Sequence, residues 1–226
     1  MKKYGEKKLL RDFILGGQDG LVNVLGIILG VAIATNETRI VLIAGIAALF
    51  AESLSMGAVA FTSSKAARDY YFAMMEKERL AIKKNPKEEV KEIRQIFKKK
   101  GFKGKCLDTI VQTVTKKKKL WVETMLMEEF RMLPDDYENP IQISLVVLLA
   151  TTSGSLIPLL PFFYFPVFQA TIIALVISGI TLFIAGVVKA KKTYGSWQRS
   201  GTEMLAIGMV AAVAGFIVGE VLKYVL

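Results

Sequence analysis

The chain has 226 residues, of which 53% are hydrophobic, and it carries a formal net charge of +10. It contains no histidine and a single cysteine, Cys106. This composition excludes metal sites built on imidazole, an intrachain disulfide and the nucleophile arrangements that require a histidine. We therefore expect a protein that is not an enzyme, and any metal site must use carboxylate, thioether, hydroxyl or carbonyl ligands.

The hydrophobic residues are concentrated in five blocks, at about 13–34, 40–63, 141–160, 167–188 and 204–222. Blocks of about 18 or more residues with few charges are typical of transmembrane helices. The first block is too long for a cleavable signal peptide and lacks a small-residue cleavage site, so we expect it to remain as the first span. The sequence predicts an all-α polytopic membrane protein with five transmembrane helices.

The basic residues predict how this protein is oriented in its membrane. Five Lys and Arg residues lie in 1–11, nineteen in 64–138 and four in 189–203, so 28 of the 30 fall on one side of a five-span topology. The positive-inside rule then places the N-terminus and residues 64–138 in the cytoplasm and the C-terminus outside. Since no targeting extension is recognised, we expect the plasma membrane of a prokaryote.

The first span carries polar side chains within its hydrophobic block, in the stretch GGQDGLVNVLG at 16–26. Asp19 lies more than one turn into the block, where a carboxylate is costly and usually faces a polar interior. We therefore expect it to act in ion or proton passage. The glycines at 16, 20, 26 and 30 form two small-xxx-small pairs, which predict close helix packing, either within the chain or across a dimer interface. Gln18 and Asn23 have no assigned task.

The second span contains a carboxylate and a thioether on one helical face. Glu52 and Met56 are four residues apart, so they lie one above the other. A methionine in a membrane helix usually serves packing. Here Met56 lies next to a carboxylate and faces a second helix that carries another carboxylate. Glu52 and Met56 are therefore a plausible ligand pair for a borderline transition metal, whereas Mg²⁺ and Ca²⁺ prefer oxygen ligands.

Residues 64–138 are predicted to form a cytoplasmic helical module inserted between the second and third spans. The second helix continues to about Asn85, Pro86 opens the next helix, and two more are expected at about 105–117 and 120–132. Each has an apolar face to bury, which a linker would lack. The predicted domains are thus 1–63 with the first two spans, the module at 64–138, and 139–226 with the last three spans.

The module combines glutamates and methionines at helical spacings. Glu89 and Glu92 are three residues apart, Met125 and Glu129 are four apart, and Glu78 lies near the end of the extended second helix. These residues could bind a metal, but glutamates paired with nearby lysines are the more usual arrangement. The lysine runs lack an aromatic stacking platform, so we expect contact with anionic lipid rather than nucleic acid.

Several of these stretches resemble the vacuolar iron transporter family, the Fe²⁺/Mn²⁺ exporters of yeast and plants and their prokaryotic relatives. The matching motifs are DGLVNVLGIILGVA and SMG in the first two spans, PKEEVKEI and WVETMLMEEF in the module, and GSLIPLLP in the third span. The resemblance implies a homodimer of five-span protomers with no prosthetic group. It also implies a module that collects Fe²⁺, or Mn²⁺, for export in exchange for protons.

The resemblance also implies roles for individual residues. Asp19 and Met56 match the family's pathway residues, and five module residues match its metal ligands, namely Glu78, Glu89, Glu92, Met125 and Glu129. Ala48, Ala81 and Leu126 stand where members of the family often carry a further ligand. Our inference is that Glu52, one turn from Ala48 on the same face, replaces the carboxylate that is missing there.

Two other functions remain open at the level of the sequence. The first is a passive divalent cation channel gated by the module, which predicts metal flux that does not depend on a pH gradient. The second is a non-transporting membrane scaffold whose basic insert binds anionic lipid or a partner, which predicts a module that binds no metal.

Overall fold

The computed structural model describes residues 2–132, 139–193 and 195–225, and no β-strand occurs among them. They form α1 (Lys2–Thr35), α2 (Thr38–Lys84), α3 (Pro86–Lys99), α4 (Gly104–Lys116), α5 (Lys118–Glu128), α6 (Pro140–Leu159), α7 (Val167–Thr193) and α8 (Trp197–Val225). A 3-10 turn, Leu160–Phe163, follows α6. In this described part of the chain, five helices are long and apolar enough to cross a membrane, namely α1, α2, α6, α7 and α8. The prediction of an all-helical chain with five spans is confirmed.

The chain divides into two compact units, one made of Met1–Thr62 with Asn139–Leu226 and the other of Ser63–Glu138. The 47 residues of α2 contribute to both. At about 1.5 Å per residue this helix is roughly 70 Å long, more than twice the hydrocarbon thickness of a bilayer. Its apolar block ends near Thr62 and charged side chains follow from Lys65 onwards. The part of α2 beyond Lys65 therefore lies outside the membrane-spanning segment.

Helix α1 occupies the centre of the first unit, where it packs against α6, α7 and α8. The main apolar core of this unit includes Val24, Leu25 and Ile28 from α1, and the buried Leu159 and Phe162 complete it from the end of α6 and the turn after it. Burial of one α1 face against three helices fixes the rotation of α1 about its own axis. That rotation decides where the polar side chains of the first span point.

Glycine allows α1 to approach its neighbours at backbone distance. A Cβ atom at Gly154 of α6 would overlap the carbonyl oxygen of Gly17, and a Cβ atom at Gly215 of α8 would overlap that of Gly26. Both predicted glycine pairs of α1 are used in this way, the first against α6 and the second against α8. They therefore serve packing within the chain.

The second unit has an apolar core of its own, formed by the end of α2 together with α3, α4 and α5. The fully buried Ile93, Met125 and Leu126 lie in it, next to Trp121 and Leu107. The apolar helix faces predicted from the sequence supply these residues. Gly101, with a φ of 97°, follows α3 as expected for a left-handed terminating residue.

One predicted helix end is wrong. Helix α5 ends at Glu128 and not near Met132, because Arg131 adopts a left-handed φ of 56° and the Met132 amide donates back to the Leu126 carbonyl. The end of α6 at Leu159 agrees with the predicted block at 141–160, and Pro158 lies buried in the last turn of this helix. A proline is tolerated in a membrane helix because adjacent helices and local adjustment satisfy the backbone groups that it frees.

Replacing Gly154 with Ala should destabilise the first unit, because the new methyl group would meet the backbone of α1. We expect the free energy of unfolding to fall by about 1–3 kcal/mol, the usual cost of overpacking. Gly17→Ala is the matched control, since its Cβ would lie 3.6 Å from the nearest atom, an ordinary contact. Thermal unfolding of both variants in one detergent, followed by circular dichroism, checks this. A Gly154→Ala protein that melts no lower than Gly17→Ala would contradict it.

Candidate metal sites

Asn23 joins the two carboxylates of the first and second spans. Its side-chain Nδ2 donates to Oε1 of Glu52 at 2.6 Å and to Oδ1 of Asp19 at 3.3 Å. Asp19 and Asn23 are four residues apart and therefore share one face of α1. The structure thus brings together two of the predicted pathway residues. Sequence reasoning left Asn23 without a task, although its spacing from Asp19 was the signal that could have found it.

The amide-bridged trio of Asp19, Asn23 and Glu52 lies at the surface of the first unit. Asn23 is exposed, and both carboxylates are half-buried. In the described part of the chain neither carboxylate forms an ion pair with a lysine or arginine. Met56 lies one turn after Glu52 on α2 and is also half-buried, but the hydrogen bonds of the trio do not include it. The trio supplies the oxygen ligands that a divalent cation prefers.

The eight glutamates that the structure describes in the second unit fall into two groups. Four of them form ion pairs with lysines or arginines of the same unit, namely Glu76, Glu88, Glu123 and Glu128. The other four have no ion-pair partner among the residues that the structure describes, and they are the predicted ligands Glu78, Glu89, Glu92 and Glu129. The first group thus consists of ordinary ion-paired residues, whereas Glu92 and Glu129 of the second group are exposed and Glu78 and Glu89 are buried.

Two of the unpaired glutamates are buried. Glu78 and Glu89 are only 6% and 8% exposed, and Oε1 of Glu78 and Oε2 of Glu89 are buried without a hydrogen-bond partner in the described structure. Met125 is fully buried in the same unit, and Glu129, one turn further, follows the end of α5. A buried carboxylate without a partner is costly unless it takes up a proton or meets a cation.

Burial and mutual repulsion raise the pKa values of these carboxyl groups. Burial raises the pKa of Glu78 to about 7, and the charge of Glu89 is the next largest contribution, followed by smaller ones from Glu129 and Glu92. Desolvation, and then the charge of Glu89, also raises the pKa of Glu92 and that of Glu129, although Lys77 partly opposes the rise at Glu129. The four carboxyl groups are therefore close enough to repel one another.

The four glutamates do not yet form a coordination shell. In the described ranges, no three His, Cys, Asp or Glu side chains surround a common point at metal-ligand distance. They approach from three elements of the unit, since Glu78 lies on α2, Glu89 and Glu92 on α3, and Glu129 at the end of α5. A cation that bound all four would have to rotate these side chains towards itself, and it would relieve their repulsion in doing so.

Replacing Glu78 with Gln should stabilise the metal-free protein at alkaline pH. Folding raises the pKa of Glu78 from 4.5 to about 7, so the protonated carboxyl group favours the folded state. This contribution to the free energy of unfolding is fully present below about pH 4.5 and is lost as the pH rises through 7. We expect Glu78→Gln to raise the free energy of unfolding of this unit by about 1–3 kcal/mol at pH 8 and to change it little at pH 5. Fluorescence of the buried Trp121, measured in a Trp197→Phe background, reports the transition.

The control for this substitution is Glu76→Gln on the same helix, whose carboxylate is exposed and lies 3.6 Å from Arg79. Its effect should stay within about 0.5 kcal/mol at both pH values. Equal effects of Glu78→Gln at pH 5 and pH 8 would show that ionisation of Glu78 is not what opposes folding.

Comparison with known proteins identifies the family. The model described as "VIT family" matches residues 10–220. The chain is 29% identical to "Vacuolar iron transporter 1" of Arabidopsis thaliana, over 99% of this chain and 90% of the relative. It is 29% identical to the protein of the same name from Eucalyptus grandis, over 92% and 84%, and 28% identical to "Vacuolar iron transporter" of Plasmodium falciparum, over 99% and 87%. Since the family model covers all five spans and the unit inserted between them, the chain belongs to the VIT family.

Proposed function

We propose that this protein is a proton-coupled exporter that moves Fe²⁺, or Mn²⁺, out of the cytoplasm. Membership of the VIT family and relatives named iron transporters support a metal transporter in a membrane. The observation that carries the proposal further is the division of the module glutamates. Every described glutamate of the module outside the predicted ligand set is paired with a basic side chain, whereas the four inside it have no ion-pair partner in the described structure and two of those are buried.

In the first proposed step, the module collects the metal. Glu78, Glu89, Glu92 and Glu129 supply carboxylate oxygens, and Met125 supplies a thioether. This mixture suits a borderline transition metal better than Mg²⁺ or Ca²⁺, which prefer an all-oxygen shell. Binding replaces the repulsion among four carboxylates with attraction to a divalent charge, so the free energy spent in holding them together is recovered when the ion is bound.

In the second proposed step, the metal passes to Asp19, Glu52 and Met56 in the membrane. Ionised carboxylates bind a divalent cation, whereas protonated ones release it. Protons that enter from outside neutralise Asp19 and Glu52, so one pair of groups couples the two opposite flows. Asn23 supports this exchange by donating to both carboxylates, which keeps them on one side of α1 whether they hold a metal or a proton.

A homodimer completes this pathway in our proposal. The exposed Asn23 and the half-buried Asp19 and Glu52 would face lipid in a lone protomer, which is costly for polar groups at membrane depth. A second copy that covers this face would enclose the trio in a polar passage between two subunits. Val59 lies seven residues after Glu52 on α2, hence on the same helical face, and its exposed apolar side chain extends this surface along the second span.

The proposed setting is the plasma membrane of a prokaryote. The N-terminus and the module lie in the cytoplasm, the C-terminus lies outside, and the distribution of basic residues supports this orientation. The protein then lowers cytoplasmic metal by using the inward proton gradient, and no chemical transformation of a substrate is part of its activity.

Replacing Asp19 with Asn should abolish metal transport driven by a pH gradient. In proteoliposomes with an acidic interior, we expect the parent to accumulate Fe²⁺ as protons leave, and Asp19→Asn to do so at least about 10-fold more slowly. Glu220→Gln is the matched control, because Glu220 is a half-buried carboxylate of α8 outside the trio. It should transport at the parental rate. Anaerobic Fe²⁺ uptake and a pH dye inside the vesicles measure both flows.

Two results would overturn this mechanism. Gradient-driven transport by Asp19→Asn at the parental rate would show that Asp19 is not the coupling group. Fe²⁺ flux through the parent that ignores the pH gradient would indicate a passive channel instead of an exchanger.

Replacing Glu89 with Gln should weaken metal binding to the full-length protein by about 10-fold or more. The neighbouring Glu88→Gln is the matched control, since the Glu88 carboxylate is exposed and accepts from Nζ of Lys91 at 3.0 Å. It should bind metal as the parent does. Anaerobic calorimetry with Fe²⁺ and with Mn²⁺ checks this expectation. Equal losses in the two variants would indicate general attraction of cations, and no binding to the parent would favour a scaffold.

A further inference from the structure

The turn between α3 and α4 carries an aromatic side chain, Phe102, at the surface of the second unit. The amide of Phe102 donates to the carbonyl oxygen of Phe97 at 3.2 Å, and the amide of Gly101 donates to that of Lys98 at 3.0 Å. This pair of bonds is the Schellman arrangement, in which Gly101 adopts the left-handed φ. Because backbone hydrogen bonds fix the turn, the position of Phe102 is a defined feature of the fold.

The ring of Phe102 is only partly covered. It contacts the ring of Phe97 edge to face, with 6.1 Å between the centroids, and the ammonium group of Lys100 lies 5.6 Å from the Phe97 centroid. A contact between these two positions is usual in a Schellman motif, and it explains why Phe102 is apolar. The side chain nevertheless remains 38% exposed, so part of its apolar surface faces solvent.

The same turn carries a dense positive charge. Residues 95–107 include five lysines and no carboxylate, and all five lysines are exposed. Lys100 forms an ion pair with Glu128. The other four have no ion-pair partner among the residues that the structure describes, and together with Phe102 we call them the basic tip: Lys98, Lys99, Lys103 and Lys105. Uncompensated positive charge around one apolar side chain favours an anionic partner.

We propose that the basic tip docks on the surface of an anionic lipid bilayer. The Phe102 side chain enters the boundary between headgroups and acyl chains, and the four lysines contact lipid phosphates. Proteins that bind at a membrane interface combine these two contributions, namely burial of apolar area and attraction of basic side chains to anionic lipid. The proposal concerns how the module is held and does not depend on the transport mechanism.

A lipid surface fits the basic tip better than a nucleic acid or an acidic protein. Binding of single-stranded nucleic acid relies on several aromatic side chains that stack on bases, whereas the basic tip contains one. An acidic protein would need a pocket shaped for Phe102, which the headgroup boundary does not require. The module is also joined to the second span by the continuous helix α2, so a bilayer is present at high effective concentration.

The first test uses a fluorescent probe beside the basic tip. Cys106, the only cysteine of the chain, is exposed four residues after Phe102 and can carry an environment-sensitive fluorophore. The labelled full-length protein is placed in nanodiscs of phosphatidylcholine, with and without phosphatidylglycerol. In discs that contain phosphatidylglycerol, the emission should shift to the blue and be quenched by nitroxide-labelled lipid, and high salt should weaken both effects.

Two results of this test would overturn the proposal. Equal emission and equal quenching in the two kinds of disc would show that anionic lipid does not hold the basic tip. A blue shift caused by a soluble polyanion such as heparin, without any response to phosphatidylglycerol, would indicate an acidic partner instead of a bilayer.

Charge substitutions test whether the contact belongs to the basic tip. Lys99→Gln and Lys103→Gln should each lower the ratio of docked to free tip about five-fold, the effect of one lysine near a membrane surface. Lys117→Gln is the matched control, because Lys117 is exposed and lies at the other end of α4, which is about 20 Å long. It should lower the ratio less than about two-fold, since this distance exceeds the Debye length. Equal losses in all three variants would show diffuse attraction and not docking of the tip.

Phe102→Ser and Phe102→Leu separate the apolar contact from the charge. Phe102→Ser should lower the ratio of docked to free tip about five-fold, because it removes the buried apolar area. Phe102→Leu keeps an apolar side chain and should lower the ratio less than about two-fold. Equal losses in the two variants would contradict insertion of Phe102. The lysine variants change only exposed side chains, so they test the docking even where Phe102→Ser loosens the turn.

Discussion

A carboxylate held away from water needs a proton or a cation, and this requirement governs both units of the chain. In the first unit, Asp19 and Glu52 have no basic partner in the described structure and share a single amide donor, Asn23. In the second, Glu78 and Glu89 are buried with an unpartnered oxygen each. The chain has 30 basic residues, so the lack of a partner at these positions is not caused by a shortage of lysine. Such groups can take up either a proton or a divalent ion, which is the exchange that the proposed transport requires.

The position of Asp19 depends on how α1 packs. Glycines bring α1 against α6 and α8 at backbone distance, and a Cβ atom at Gly154 or Gly215 would prevent that approach. Asp19 and Asn23 each lie seven residues before a glycine that meets α8, Gly26 or Gly30, so they continue the same stripe of α1, and there Asn23 reaches Glu52 of α2. The orientation of α1 about its own axis therefore determines both its close packing and the location of the polar trio.

Hydropathy and helix-boundary residues predicted most of the fold. The five apolar blocks correspond to α1, the first part of α2, α6, α7 and α8. They can be predicted because the length of an apolar run is a local property of the sequence, and a spanning helix must match the hydrocarbon thickness of a bilayer. The error lies at the end of α5. This helix stops at Glu128 because Arg131 adopts a left-handed φ and the Met132 amide donates to the Leu126 carbonyl, which no residue type in this stretch signals.

The sequence by itself determined which residues are candidates, since a carboxylate within an apolar block or a glutamate beside a methionine is visible in the order of residues. Only the tertiary structure decided which glutamates are paired. Glu88 and Glu89 are adjacent in sequence, yet one forms an ion pair with Lys91 at the surface and the other is buried without one. Likewise, the hydrogen bond from Asn23 to Glu52 joins residues that are 29 positions apart in the sequence. Helical spacing is a property of one segment, whereas burial and charge pairing depend on which segments fold against each other.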